Sequence, residues 1–213
     1  MNRRPALLTT LAVTTALTLT ACGSEEPDTA AKDRGKAKGT KASASSSSPS
    51  TSAGRPKIEL LADLKLTFEG GETGDPVEDA ILADNAERMR AVDAAITGTD
   101  LERKALAFYN TGKALKAAQD WVAQFEEAGA TITGEARYYE REVTLKGEDS
   151  ATLTFCADES KGFSKDKKTN EIHKTPVTKN SYVLYNTRLD KNADGVWQTS
   201  QIISARGAAQ CQP

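Results

Sequence analysis

An α+β domain is predicted from three features of the sequence. Apolar residues recur at helical spacing between Val77 and Phe125, and from Ile132 onward they alternate with period two. Apart from the first 22 residues, every apolar side chain larger than Ala or Pro lies within residues 58–213. Helices first and long strands afterwards imply N-terminal helices packed on a curved antiparallel sheet, cone-like in outline, preceded by a signal peptide and a disordered linker.

Residues 1–21 read as an export signal. Arg3 and Arg4 form a basic start, and Ala6 to Leu19 carry no charge. About 14 helical residues span roughly 21 Å, short of the ~30 Å hydrocarbon core, so a permanent transmembrane helix is not expected. Leu19-Thr20-Ala21-Cys22 resembles the lipobox of bacterial lipoproteins. That resemblance implies cleavage before Cys22, diacylglycerol and palmitate-type acylation there, and anchoring to the outer face of the cytoplasmic membrane. Two acyl chains at ~0.8 kcal/mol per buried CH₂ hold firmly where one is marginal. Pro5 and Ala6 fit twin-arginine export poorly, which favours the general secretory route. The remaining alternative is an ordinary signal peptide that leaves Cys22 as a free thiol.

Residues 22–57 are rich in Ser, Ala, Thr, Gly and Lys, and nothing in them offsets the entropy of folding. They read as a tether with a root-mean-square span near ~33 Å.

The domain over residues 58–213 begins with a short strand, in which Leu64, Leu66 and Phe68 alternate with Lys65 and Thr67 before Gly70-Gly71. Asp75-Pro76-Val77-Glu78 spells an N-cap, a first-turn proline and a capping-box glutamate; Val77, Ile81, Met89, Val92 and Ile96 then share one helix face. Thr99 or Asp100 is placed to cap a second helix bearing Leu101 and Phe108. A third helix follows Gly112, carries Leu115, Ala118, Val122 and Phe125, and stops at Gly129. Residues 132–145, 151–156, 182–189 and 196–203 read as strands. The first changes apolar phase, as a β-bulge near residues 139–142 would produce.

Cys156 and Cys211 remain once Cys22 is acylated, and export places them in an oxidising compartment, so a disulfide between them is the expected pairing. A metal site or reactive thiol has no support in the spacing, since His173 is the chain's one histidine. No metal or other cofactor is expected. The domain carries 19 Lys and Arg against 26 Asp and Glu, which argues against nucleic acid as a partner. Asp190-Lys191-Asn192-Ala193-Asp194-Gly195 matches half of a calcium loop, but Gln201 stands where a bidentate Glu is required, so a hairpin turn is the reading. The lysine-bearing stretch 160–180 reads as a solvated mobile loop.

Gly134 through Tyr139, the strand Val143-Thr144-Leu145, the segment from Ala151 to Asp158 with its Cys-x-Asp ending, and Gly195-Val196-Trp197 resemble actinobacterial secreted lipoproteins of the nuclear transport factor 2-like superfamily. That superfamily's cone also houses ketosteroid isomerases. The resemblance covers about residues 75–211 and implies a cone-shaped fold that hosts enzymes, ligand binders and assembly modules alike. On such a cone Tyr109, Trp121, Arg137 and Tyr138 are candidate pocket residues, with Asp158 ending a strand nearby. No residue is assigned as catalytic, because His173 lies among polar neighbours and Asp158 opens a charged loop. The expected function is a non-catalytic, membrane-anchored interaction or ligand-binding module of the cell envelope. Its partner would be an unidentified envelope protein, a small ligand, or a second copy pairing through the sheet. An isomerase- or dehydratase-type enzyme and a structural spacer are the alternatives.

Overall fold

The computed structural model describes residues 54–100 and 103–213. The export signal, the lipobox, Cys22 and nearly all of the tether lie outside the described residues, as does Leu101. In chain order the elements are β1 (Leu64–Phe68), α1 (Pro76–Thr97), α2 (Lys104–Tyr109), α3 (Gly112–Glu127), β2 (Ala130–Leu145), β3 (Ser150–Asp166), β4 (Ile172–His173), β5 (Tyr182–Lys191) and β6 (Trp197–Arg206).

Local chemistry sets the helix ends. The Asp75 carboxylate accepts from the backbone N–H of Val77 at 2.7 Å and of Glu78 at 3.1 Å, and Pro76 occupies the first turn, where its missing N–H costs nothing. Gly98 closes α1 at φ 83°, donating to the Ala94 carbonyl. The Asp100 carboxylate receives the N–H groups of Lys104, Ala105 and Leu106 as α2 begins.

The strands run β1-β2-β3-β5-β6 across the sheet, with β4 on the edge of β3 beyond the end of β5. All pairs are antiparallel except β1 with β2, which is parallel, so the sheet is mixed where an antiparallel one was expected. Three helices connect these two strands, and a crossover of that length returns the chain in the same direction. Alternation in β1 carries no information about strand direction. Stretch 160–180 also departs from a solvated loop: its first residues extend β3 to Asp166, paired with β2 as far as Ala130, and Ile172–His173 form β4. The Asp190–Gly195 run makes the β5–β6 turn, where Asn192 Oδ1 accepts from the N–H groups of Asp194 and Val196.

Helix α1 lies against the concave side of the sheet, burying Ile81, Leu82 and Met89 with Tyr138, Leu153, Phe155, Leu189 and Trp197. A second cluster joins α1 to α3 through Val92, Ile96 and Val122. Asp84, almost wholly buried on α1, accepts from the Trp197 N–H at 2.8 Å and pairs with Arg55, a residue within the stretch read as tether. Cys156 of β3 is bonded to Cys211 across a separation of 55 residues, with Cα atoms 5.4 Å apart. A loop of that length corresponds to about 4 kcal/mol in the chain-entropy treatment.

The sheet bends along β2, whose register with β3 shifts between Glu135 and Arg137 and again between Tyr139 and Glu142. The bend starts at Gly134, which has φ +100° and lies so close to β3 that a Cβ would sit 2.1 Å from the Lys161 carbonyl oxygen. Gly162, its partner across the pair, has room for a methyl group at 3.4 Å. Gly134→Ala is therefore expected to lower stability by about 2–4 kcal/mol in denaturant melts and Gly162→Ala by under about 1 kcal/mol. Equal losses would show that the close approach at residue 134 does not matter.

Candidate functional site

The concave face of the sheet, α1 and α3 leave a cavity of about 730 Å³ between them. Its walls are largely apolar: Val92 and Ile96 come from α1, Phe125 from α3, and Leu66, Ile132 and Phe163 from β1, β2 and β3. Trp121 of α3 stands at the mouth, 43% exposed, with its ring edge-on to Phe125 at 5.2 Å. Thr175 and Pro176, from the stretch after β4, also line it.

The ionisable groups that line this space are Arg88 and Asp93 from α1, Glu135 and Tyr138 from β2, Glu159 from β3, Tyr185 from β5 and Arg206 from β6, with Thr, Ser and Asn side chains completing the polar part of the wall; Glu135 pairs with Lys161 at 3.7 Å. Glu159 is already engaged, accepting from the Tyr185 hydroxyl at 3.3 Å and pairing with Arg206 at 2.8 Å. Arg88, Asp93 and Tyr138 have spare capacity. Arg88 is 4% exposed; its Nε donates to Asn110 Oδ1 at 2.8 Å and its Nη1 lies 3.2 Å from the Met89 sulfur, while Nη2 has no partner among the described residues. Asn110 is itself anchored by its amide to the Leu106 carbonyl at 2.8 Å, so the guanidinium is held in place from behind. The Asp93 carboxyl and the Tyr138 hydroxyl make no hydrogen bond to the described residues.

Burial governs how these groups ionise. Asp93 is half-buried because its carboxyl faces the cavity, and the packed atoms around it push its pKa up to about 7; Glu159 adds to the rise and Arg88 opposes it. Burial likewise pushes the Tyr138 phenol well above its ordinary value, reinforced by Asp93, and raises Tyr185. The Arg88 guanidinium is lowered by the same loss of water. The site thus offers a cation and a neutral hydroxyl beside a carboxyl that gains or loses its proton near neutrality.

The sequence-based candidates separate in space. Tyr138 and Trp121 line the cavity, whereas Arg137 and Asp158 lie on the opposite face of the sheet. There they border a hollow of about 130 Å³, where Arg137 pairs with Glu69 at 3.0 Å and lies 4.2 Å over the Tyr139 ring. Successive strand residues point to opposite faces, so Tyr138 and Arg137 cannot serve one pocket, and Asp158 pairs with Arg137 on the outer face. Tyr109 is 1% exposed but packs with Ala91, Ala105 and Val196 and faces Arg55, away from the cavity. Arg88, Asp93, Glu159 and Tyr185 were not anticipated. Arg88 and Asp93 did carry a signal, since both fall within the apolar stripe of Met89, Val92 and Ile96, where a charge requires a reason.

No family model and no curated protein matches the sequence. Among solved structures, the chain is similar to a ketosteroid isomerase-like protein from Erwinia carotovora atroseptica at 21% identity and TM-score 0.41, covering 60% of this chain and 93% of that one. It is also similar to the intermembrane space region of the chloroplast protein ARC6 at 14% identity and TM-score 0.42, covering 60% and 97%. A putative ketosteroid isomerase from Shewanella frigidimarina matches at 14% identity and TM-score 0.33, covering 61% and 98%. Likeness at these levels assigns no function to this chain.

The raised Asp93 pKa has a consequence for stability with a definite sign. Between about pH 4, where the carboxyl ionises in the unfolded chain, and about pH 7, where it ionises in the folded one, the native state holds a proton that the unfolded state has lost. Its contribution to stability is therefore present below about pH 4, lost progressively up to about pH 7 and constant above. Asp63, Asp79, Asp166 and Asp190 have lowered values and act in the opposite sense, so comparison with Asp93→Asn isolates the effect. The Asn variant should gain on the native protein from pH 4 to 7 and keep a constant lead above it in denaturant melts. A difference that is flat across that window would mean Asp93 ionises normally.

Proposed function

We propose that this chain is a lipid-anchored, extracytoplasmic ligand-binding protein that carries a small, mainly apolar molecule in the cavity between α1 and the sheet. The observation that supports this most directly is the unfilled volume itself. About 730 Å³ falls within the range of small-molecule sites, and an apolar wall with a few convergent polar groups is the composition such sites have. The uncharged stretch before Leu19-Thr20-Ala21-Cys22 supports export and anchoring, and the stretch after it serves as a tether that lets the domain stand off from the bilayer.

One observation favours a second reading, an enzyme of the isomerase or dehydratase kind. Asp93 faces the cavity with its pKa pushed up to about 7, which suits a group that takes up and returns a proton. Binding is common to both readings, and turnover separates them.

Two measurements test the proposal. Metabolic labelling with a fatty acid should mark the native chain and not Cys22→Ala; labelling of the variant would refute the anchor. The full chain carrying Cys22→Ala should bind the uncharged fluorescent dye N-phenyl-1-naphthylamine with one-to-one stoichiometry. Ala117→Trp, which fills the mouth from the exposed side of α3, should weaken that binding at least tenfold with melting temperature unchanged. Equal dye binding by the two proteins would show that the cavity is not where the dye enters.

A further inference from the structure

We infer that the molecule held in the cavity is a carboxylic acid, an apolar body bearing one carboxylate that is received by Arg88 and Tyr138. This inference rests on the ligand-binding reading above and specifies its ligand class.

The burial of Arg88 carries a cost. A guanidinium that is 4% exposed has given up nearly all of its water. Buried charges are normally offset by an ion pair and a full set of hydrogen bonds. Arg88 has a side-chain amide and a thioether as its hydrogen-bond partners and makes no ion pair among the described residues. The carboxylates nearby do not fill the gap. Glu159 is committed to Tyr185 and Arg206, and Asp93, five residues further along α1, forms no ion pair with Arg88.

The Asn110 contact holds Nε, leaving the Nη2 donor for a ligand. Tyr138, whose hydroxyl makes no hydrogen bond to the described residues and whose pKa lies well above its ordinary value, supplies a second donor, a neutral one, on the sheet side. Two donors of this kind in an apolar enclosure favour an oxyanion over a ketone or an amide, because charge-assisted hydrogen bonds are about twice as strong as neutral ones. An amine would meet Arg88 unshielded. Ketone oxygens would leave the cation uncompensated. The walls set the remainder of the molecule: Phe125, Ile132 and Phe163 accept a flat or branched apolar body, and Trp121 at the mouth covers it.

Asp93 modulates this arrangement. The groups that share the cavity with it are Arg88 on its own helix, Glu135 and Tyr138 from β2, Glu159 from β3, Tyr185 from β5 and Arg206 from β6, of which Glu135 is paired with Lys161 and Arg206 with Glu159; α3 contributes Trp121 and Phe125, which do not titrate. An anion seated on Arg88 disfavours a second negative charge at Asp93, so the acid binds best while Asp93 keeps its proton. Affinity for an acid should consequently fall above about pH 7, and affinity for a neutral molecule should not.

The test compares three near-isosteric probes on the full chain carrying Cys22→Ala: 2-naphthoate, 2-acetylnaphthalene and 2-naphthylmethylamine, by calorimetry at pH 6 and pH 8.5. The expected result is that 2-naphthoate binds at least tenfold more tightly than the ketone at pH 6, with the advantage shrinking at pH 8.5. Arg88→Gln, which keeps a donor for Asn110, should bring the acid down to the ketone's affinity while changing the ketone less than threefold. Tyr138→Phe should remove part of the preference. Should Arg88→Gln fail to fold, the acid-to-ketone ratio of the native protein and its pH dependence decide alone. Equal affinity for acid and ketone overturns the inference but leaves ligand binding standing. Preference for the amine overturns it in favour of Asp93 as anchor. Failure of all three probes together with the dye overturns both readings.

Discussion

The concavity of the sheet depends on residue 134 having no side chain. At φ +100°, with the Lys161 carbonyl occupying the place of a Cβ, Gly134 allows β2 and β3 to approach so closely that the strand pair bends. The two register shifts further along β2 continue the turn. A flat sheet would let α1 settle onto it and close the interior. A bent sheet holds α1 at one end, over Leu153, Phe155 and Trp197, and stands away from it at the other, over Val92, Asp93 and Ile96. The packed core and the cavity are thus two ends of one arrangement.

That arrangement explains where polar groups are tolerated. At the packed end, the buried Asp84 is matched by Arg55 and the Trp197 N–H. At the open end, Arg88 and Asp93 share an apolar space without pairing, and their protonation is governed by burial. An unpaired charge in an apolar enclosure costs stability, and a protein commonly bears such a cost at a site that receives something. The contrast within a single helix, between the paired Asp84 and the unpaired Arg88 and Asp93, is what makes the second a candidate site.

Much of the fold was legible in the sequence because it is written in local chemistry. Asp75-Pro76 starts α1, Gly98 and Gly129 follow the ends of α1 and α3, and the change of apolar phase in residues 132–145 coincides with the register shift after Tyr139. The direction of β1 was not legible, since alternation is the same in parallel and antiparallel pairs. The continuation of β3 past Cys156 was hidden by its polar residues, which are carried by pairing with β2. The site was legible only in part. Tyr138 and Trp121 were found as aromatics, but Arg137 and Asp158 were grouped with them although strand alternation sends them to the far side. Asp93 and Arg88 stand among the apolar members of their stripe, and the apolar period by itself does not single them out.

The central claim, that Asp93 and Arg88 form a ligand site in the cavity under the sheet, can be examined at the carboxyl itself. Carbon-13 NMR of aspartate-labelled chain, with the Asp93 resonance assigned by its loss in Asp93→Asn, reports that group's titration directly. The account requires a midpoint near pH 7 in the free protein that rises when 2-naphthoate is added. A midpoint near 4, the ordinary value for an aspartate in water, that is unmoved by the acid would contradict it.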